Sequence, residues 1–357
     1  MTRQLTRRFL SVAAAVALIV PQYSVAAARQ AGNITGPLTL PSFHRGAEAL
    51  AVDARGTIIV GSAWDARSLL HAVKWTLQSD GSWAFSDLAW PAGVTSTIAR
   101  GVNNRGDVAG NDFPATASRA LLWLAGTSSP RILGCSTDRR EETVYGVSAD
   151  AQVVVGTGFD VDGRQIAGVW RPDGSCREDL PALAEGESAG ASAVNGDGTI
   201  VGGGAAGVLV RWTHVAGQWQ IEQLDTRSGF VFGANPRGDL VGYVSTPCGV
   251  AAMCQRAVVW YASGGLLELG TLGGANSLAR DINSAGEVVG TSGIGRSARG
   301  TSTAFFWSPD PAAGMLQLPR GRGATANALS DVRADGSRLV VGQDSRGEPV
   351  MWVVRNP

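Results

Sequence analysis

The chain has 357 residues, a formal net charge of zero and 48 glycines, about twice ordinary usage. That length can bury a large core, and a neutral chain has no bulk attraction for a polyanion such as nucleic acid. Basic residues are almost all Arg, with Lys74 the single Lys, so a Schiff-base or general-base lysine has almost no candidate.

The first element reads as an export signal. Arg3, Arg7 and Arg8 give a positive start, Phe9 to Val20 is apolar apart from Ser11, and Ala26-Ala27-Ala28 offers a cleavage site, with Ser24-Val25-Ala26 a second. The apolar run is shorter than the roughly 20 residues a spanning helix needs. Thr6-Arg7-Arg8-Phe9-Leu10 is similar to a twin-arginine signal, although Ser11 departs from it, so both general and twin-arginine export stay open. Residues 1–28 are expected to be removed. The mature protein is then expected to have no transmembrane segment and to be secreted or periplasmic.

From residue 29 onward one pattern repeats. Trp75, Trp123, Trp170, Trp212, Trp260, Trp307 and Trp352 recur at intervals of 42 to 48 residues. In step with them, an apolar-Gly pair ends a short run at Gly61, Gly110, Gly156, Gly202, Gly242, Gly290 and Gly342. Two landmarks in lockstep define one structural unit used seven times. The repeats run about 44–90, 91–134, 135–181, 182–225, 226–270, 271–319 and 320–357, the last completed by 34–43.

Each repeat reads as four short strands, a to d. In the sixth, strand a ends at Asn283, b runs from Glu287 to Ser292, c ends at Trp307 and d is Met315 to Leu318. The a–b turn carries a polar residue three positions before a Gly: Asp53, Asn103, Asn195, Asn235, Asn283 and Arg333, with Ser148 and Ala151 departing in the third repeat. A Trp fixed in every repeat is expected to fill the gap between neighbouring units. A stacking surface for sugars or bases is the lesser reading.

The seventh repeat lacks a strand d, and the mature N-terminus supplies one. Leu38-Thr39-Leu40-Pro41 matches Leu316-Gln317-Leu318-Pro319, Asp179-Leu180-Pro181 and Leu88-Ala89-Trp90-Pro91. The expected fold is an all-β, seven-bladed β-propeller in which the N-terminal strand completes the last blade and closes the ring. An open β-solenoid is the alternative, but it would call for polar caps instead.

Four cysteines in an oxidising compartment invite disulfides. Cys248 and Cys254 share one loop and form a candidate staple. Cys135 and Cys176 fall at opposite ends of their blades in this register, which argues against pairing them. No metal is expected, since the spacing fits no zinc pattern and only three His are present. Asp160-Val161-Asp162-Gly163 carries too few ligands for a calcium loop and reads as a polar turn.

Leu269-Gly-Thr-Leu-Gly-Gly-Ala-Asn-Ser-Leu-Ala-Arg-Asp-Ile-Asn-Ser-Ala-Gly-Glu-Val-Val-Gly290 resembles the bacterial extracellular repeats known as the HAF family. The His-Ala-Phe of that family falls at the start of strand c, where this chain has His71-Ala72-Val73, Arg119-Ala120-Leu121, Arg256-Ala257-Val258 and Thr303-Ala304-Phe305. The resemblance spans about residues 37–354. It implies a secreted repeat protein and brings no catalytic residues with it.

Ligands of a propeller are expected where the d–a connections lead into the inner strands. That rim carries the candidate site: His44, Arg100, Tyr145, Glu187 and Arg280. At the position of Arg280 the other repeats place Leu50, Arg100, Tyr145, Ser192, Phe232 and Ser330. Variation inside a fixed frame builds an asymmetric site, and Arg forks suit a carboxylate. No His-Glu-x-x-His or phosphate loop is present. The expected function is a monomeric, cofactor-free, non-catalytic protein that binds a polysaccharide or an extracellular protein at one rim. A lyase using rim Arg with Tyr145 or His44 is the second reading, and a structural envelope or matrix protein the third.

Overall fold

The computed structural model describes residues 33–43, 46–113, 117–127, 129–135, 141–249, 252–295, 301–311 and 313–355. The expected export signal lies outside them. No helix among the described residues is long and apolar enough to cross a membrane.

The described chain is all strand and turn. After β1 (Ile34–Thr39), a first sheet holds β2 (Ala47–Val52), β3 (Ile58–Trp64), β4 (Leu70–Leu77) and β5 (Trp83–Asp87). A second holds β6 (Thr97–Val102), β7 (Val108–Asp112), β8 (Arg119–Trp123) and β9 (Arg131–Ile132). A third holds β10 (Glu142–Val147), β11 (Val154–Phe159), β12 (Gln165–Trp170) and β13 (Glu178–Asp179). A seven-stranded sheet follows: β14 (Ala189–Val194), β15 (Ile200–Ala205), β16 (Val208–Val215), β17 (Gln218–Ala234), β18 (Leu240–Gly249), β19 (Ala252–Trp260) and β20 (Leu266–Gly270). Next come β21 (Gly273–Ile282), β22 (Val288–Ile294), β23 (Thr301–Ser308) and β24 (Gly314–Arg322). The last sheet joins β25 (Thr325–Leu329), β26 (Ser337–Gln343) and β27 (Pro349–Arg355) to β1, which pairs antiparallel with β27.

The seven-stranded sheet is two four-stranded units sharing one strand. The first half of β17 pairs with β16 and its second half with β18. Here the expected d–a loop around Asp225 is absent, because the chain stays extended from Gln218 to Ala234.

The glycine landmark has a steric cause. Every inner strand carries a β-bulge at one position: Leu50, Arg100, Tyr145, Ser192, Phe232, Arg280 and Asn327. The bulge pushes the carbonyl two residues earlier against the facing strand. A Cβ on the facing residue would stand 1.9 Å from that oxygen at Gly61, Gly290 and Gly342, 2.0 Å at Gly110, Gly203 and Gly242, and 2.1 Å at Gly156. Only glycine fits such an approach. In the fourth unit this glycine is Gly203, one residue beyond the expected Gly202, which pairs instead with Ala193.

The a–b turns follow the expected chemistry in most units. Asn103 and Asn235 accept amide hydrogens of their own turns through Oδ1 and donate from Nδ2 to a carbonyl of the next unit, Ser148 O and Asn283 O. In the third unit Ala151 takes the glycine place at φ 56°. The seventh unit corrects the reading. Its strand ends at Leu329, Ser330 takes the turn position with its amide on Leu339 O, and Arg333 to Gly336 forms a further turn beyond it. This longer hairpin shifts the inner position from the expected Ser330 to Asn327. Ser330 is fully buried, its hydroxyl bonded to Asp331 O and Leu339 N.

All seven landmark Trp are buried, none more than 9 % exposed. Each sits in an apolar cluster shared by consecutive units, such as Val60 and Ala72 with Ala99, Val108, Leu121 and Trp123. One cluster brings Ala328, Leu339 and Val341 of the last unit onto Ala49, Ile59 and Trp75 of the first. Four indoles also reach backward to the end of the preceding outer strand. Trp75, Trp123, Trp212 and Trp352 donate from Nε1 to Pro41 O, Ala89 O, Pro181 O and Pro319 O at 2.6, 2.8, 2.8 and 2.9 Å. Ala89 therefore takes the proline's place in the second pairing, two residues before the expected Pro91.

Cys248 and Cys254 are joined across the β18–β19 hairpin. Cys135 and Cys176 are also joined, against expectation. The expectation placed the two at opposite ends of their blades. β9 and β13 have two residues each, with Cys135 three residues after the first and Cys176 two before the second, and the two Cα atoms lie 4.5 Å apart.

Candidate functional site

The bulge that demands glycine in one strand turns its own residue out of the ladder. The seven bulged side chains all line a cavity of about 300 Å³ on the d–a and b–c side, and all seven also line a second space of about 190 Å³ on the a–b side. They form a diaphragm between the two. Above it, Thr157, Gln165, Gly190 and Phe230 complete the wall.

Two cations and no acid line the upper cavity. Arg100 lies over the Tyr145 ring, 5.2 Å from its centroid, and Arg280 over the Phe232 ring at 5.6 Å. Around the diaphragm the two guanidiniums therefore lean toward each other across Ser192. In both, Nε is buried and has no hydrogen-bond partner, and neither has an ion-pair partner among the described residues. Burial pushes the Arg100 guanidinium below its ordinary value, with Tyr145 and Glu48 acting in the opposite direction. A buried donor without an acceptor costs free energy unless a ligand supplies one.

Glu48 is held by a diaphragm residue. Its Oε1 accepts from Asn327 Nδ2 at 3.0 Å, and Asn327 also donates to Ala49 O. Beneath the diaphragm, Asp281 is half-buried and lines the lower space. It accepts from Ile282 N and Leu329 N, and burial pushes its carboxyl up to about 6.

Of the expected site residues, the fold brings together Arg100, Tyr145 and Arg280. Glu187 is exposed on the connection before β14 and is not part of the cavity wall. His44 lies outside the described residues. The sequence reading missed Phe230, which forms the cavity wall beside Phe232. Its signal was the run Gly202-Gly203-Gly204: a Cβ at Gly204 would stand 2.8 Å from the Phe230 ring. The fourth unit gives up side chains where the fifth lays down an aromatic one.

Asp160 makes the expected polar turn, accepting from Asp162 N and Arg164 N and pairing with the Arg164 guanidinium at 2.6 Å. Among the described residues no cluster of His, Cys, Asp or Glu is arranged to hold a metal.

Solved structures with the same architecture define the class. The chain matches the β-propeller domain of the trilobed protease from Pyrococcus furiosus with a TM-score of 0.51 at 8% identity, over 86% of this chain and 93% of that one. It matches the β-propeller domain of Myceliophteria thermophila Cps50 (Swd1) with a TM-score of 0.54 at 10% identity, over 90% and 100%. With an acylaminoacyl peptidase the TM-score is 0.53 at 12% identity, over 86% of this chain and 51% of that one, so the chain spans about half of that enzyme. At such identities the likeness establishes the fold alone, a β-propeller. No sequence-family model and no curated protein sequence matches the chain.

Proposed function

We propose that the chain is a seven-bladed β-propeller closed by β1 on the last blade, and that it acts as a secreted, non-catalytic protein binding an anionic glycan in the upper cavity. Closure is supported by the β1–β27 pairing, by the contacts of β2 with β25, and by the apolar cluster joining the last unit to the first. The blade count is supported by seven bulged inner strands with seven facing glycines. The resemblance to HAF repeats and the N-terminal export pattern favour an extracellular or periplasmic setting.

One observation carries the binding reading: two Arg with unpartnered buried Nε atoms face a cavity that holds no carboxylate. Charge-assisted hydrogen bonds from such groups contribute about 1.5–3 kcal/mol each. Retention on a polysaccharide panel that includes uronic-acid polymers tests it. Arg100→Ala and Arg280→Ala should each weaken retention by about 10-fold or more. New chain ends that disappear in Tyr145→Phe would make the protein an enzyme instead. Absence of retention on every polymer would turn the search to extracellular proteins.

A further inference from the structure

The upper cavity is small and is lined by all seven bulged side chains, and that limits what can occupy it. We infer that it takes one acidic residue at the end of a glycan chain, a terminal sugar acid, rather than an internal stretch of polymer. The inference rests on the reading above and narrows it.

The argument starts from the diaphragm. Because the same seven side chains line both the upper and the lower space, a chain running through from the d–a side would have to pass between all seven of them. A polymer bound along its length needs a groove or a through-passage, whereas a cup receives an end. The size agrees: about 300 Å³ is at the small end of ligand cavities, which run roughly 300–1,000 Å³.

The chemistry then selects the end group. Arg100 and Arg280 each hold the guanidinium carbon over an aromatic ring. A guanidinium placed this way, without an ion-pair partner, keeps N–H groups for a carboxylate. A carboxylate in the cavity would supply acceptors to the two guanidiniums that line it. Thr157 and Gln165 on the wall offer hydroxyl and amide groups to ring hydroxyls, while Phe230 offers an apolar face to ring C–H groups. Ser192, the small residue between the two Arg–aromatic pairs, leaves room where the ring would sit.

The test is calorimetric titration of the mature chain with galacturonic acid, glucuronic acid, their short oligomers and long polyuronate. End recognition predicts that a monomer and a trimer of the preferred acid bind within about threefold of each other. Long polymer at equal carboxylate concentration should then compete only in proportion to its chain ends. Ser192→Phe should abolish monomer binding while leaving the thermal midpoint close to that of the parent. Affinity that climbs with the number of residues, or polymer that competes per residue and still binds Ser192→Phe, would overturn the end-binding inference while leaving acidic-glycan binding intact. If no acid of any length binds, the functional reading falls together with it.

Discussion

Replacing Gly290 by alanine tests the link between the glycine landmark and the site. The new Cβ would stand 1.9 Å from Leu278 O and 3.0 Å from Phe305 Cε1. Carbon and oxygen rarely approach closer than about 3 Å, so the bulge at Arg280 would have to retreat by about 1 Å. Overpacking a core costs about 1–3 kcal/mol, and the upper figure applies because the obstructing atom is backbone. Gly196→Ala is the control. Its nearest neighbour is Pro236 Cβ at 3.8 Å, so it should be neutral or gain about 0.4–1 kcal/mol by restricting the unfolded chain. Urea unfolding followed by tryptophan fluorescence reads both. Gly290→Ala should lose about 3 kcal/mol, and its affinity for acidic sugar should fall because Arg280 moves with the bulge. Equal stability of the two variants, with sugar binding unchanged in both, would refute the steric account of the repeat.

Three further expectations follow from other contacts. Trp212→Phe removes the indole bond to Pro181 O and should cost about 1–3 kcal/mol more than the packing loss alone, whereas Trp260→Phe should cost less, since Trp260 Nε1 has no partner; parallel denaturation curves decide it. Asp281 is held protonated up to about pH 6 in the fold but only to about 3.8 when unfolded, so stability should rise as pH falls through 6 toward 4, by up to about 3 kcal/mol; Asp281→Asn should flatten that slope in unfolding curves at pH 4.5 and 7. The Cys135–Cys176 bond closes a 41-residue separation and Cys248–Cys254 one of 6. Loop entropy assigns them about 4 and 2 kcal/mol, so Cys135→Ser with Cys176→Ser should lower the thermal midpoint more than the other pair of substitutions.

The sequence revealed what every unit shares and little of what single units do alone. Trp75 and its six counterparts, with six of the seven facing glycines, were legible because packing between neighbours repeats, and period is visible in one chain. The extended β17 was not, since a loop and a strand of mixed polarity look alike between Gln218 and Arg227. Asn327 was displaced by the longer hairpin after Leu329, where a second turn imitates the first. Cys135 and Cys176 were misjudged because strand length on the outer edge leaves no apolar signature. Among the residues lining the upper cavity, Arg100, Tyr145 and Arg280 were singled out by asking which inner position varies, whereas Phe230 needed the opposite question: where the neighbouring strand has no side chains. Glu187 was drawn in by chain position alone, and the fold turns it to solvent.

The pairing of β1 with β27 also says something about chain order. Ile34 lies beside Val354, and Arg355 N donates to Asn33 O at 3.0 Å. Two segments roughly 320 residues apart in sequence are thus joined only after everything between them exists, which places that pairing among the slow, non-local steps of folding. Asn33 and Arg355 are close enough to be joined by a short linker, and new ends could be opened in an exposed turn such as the one at Ala206 and Gly207. A circular permutant of this kind would keep every strand neighbour while making the last sheet local.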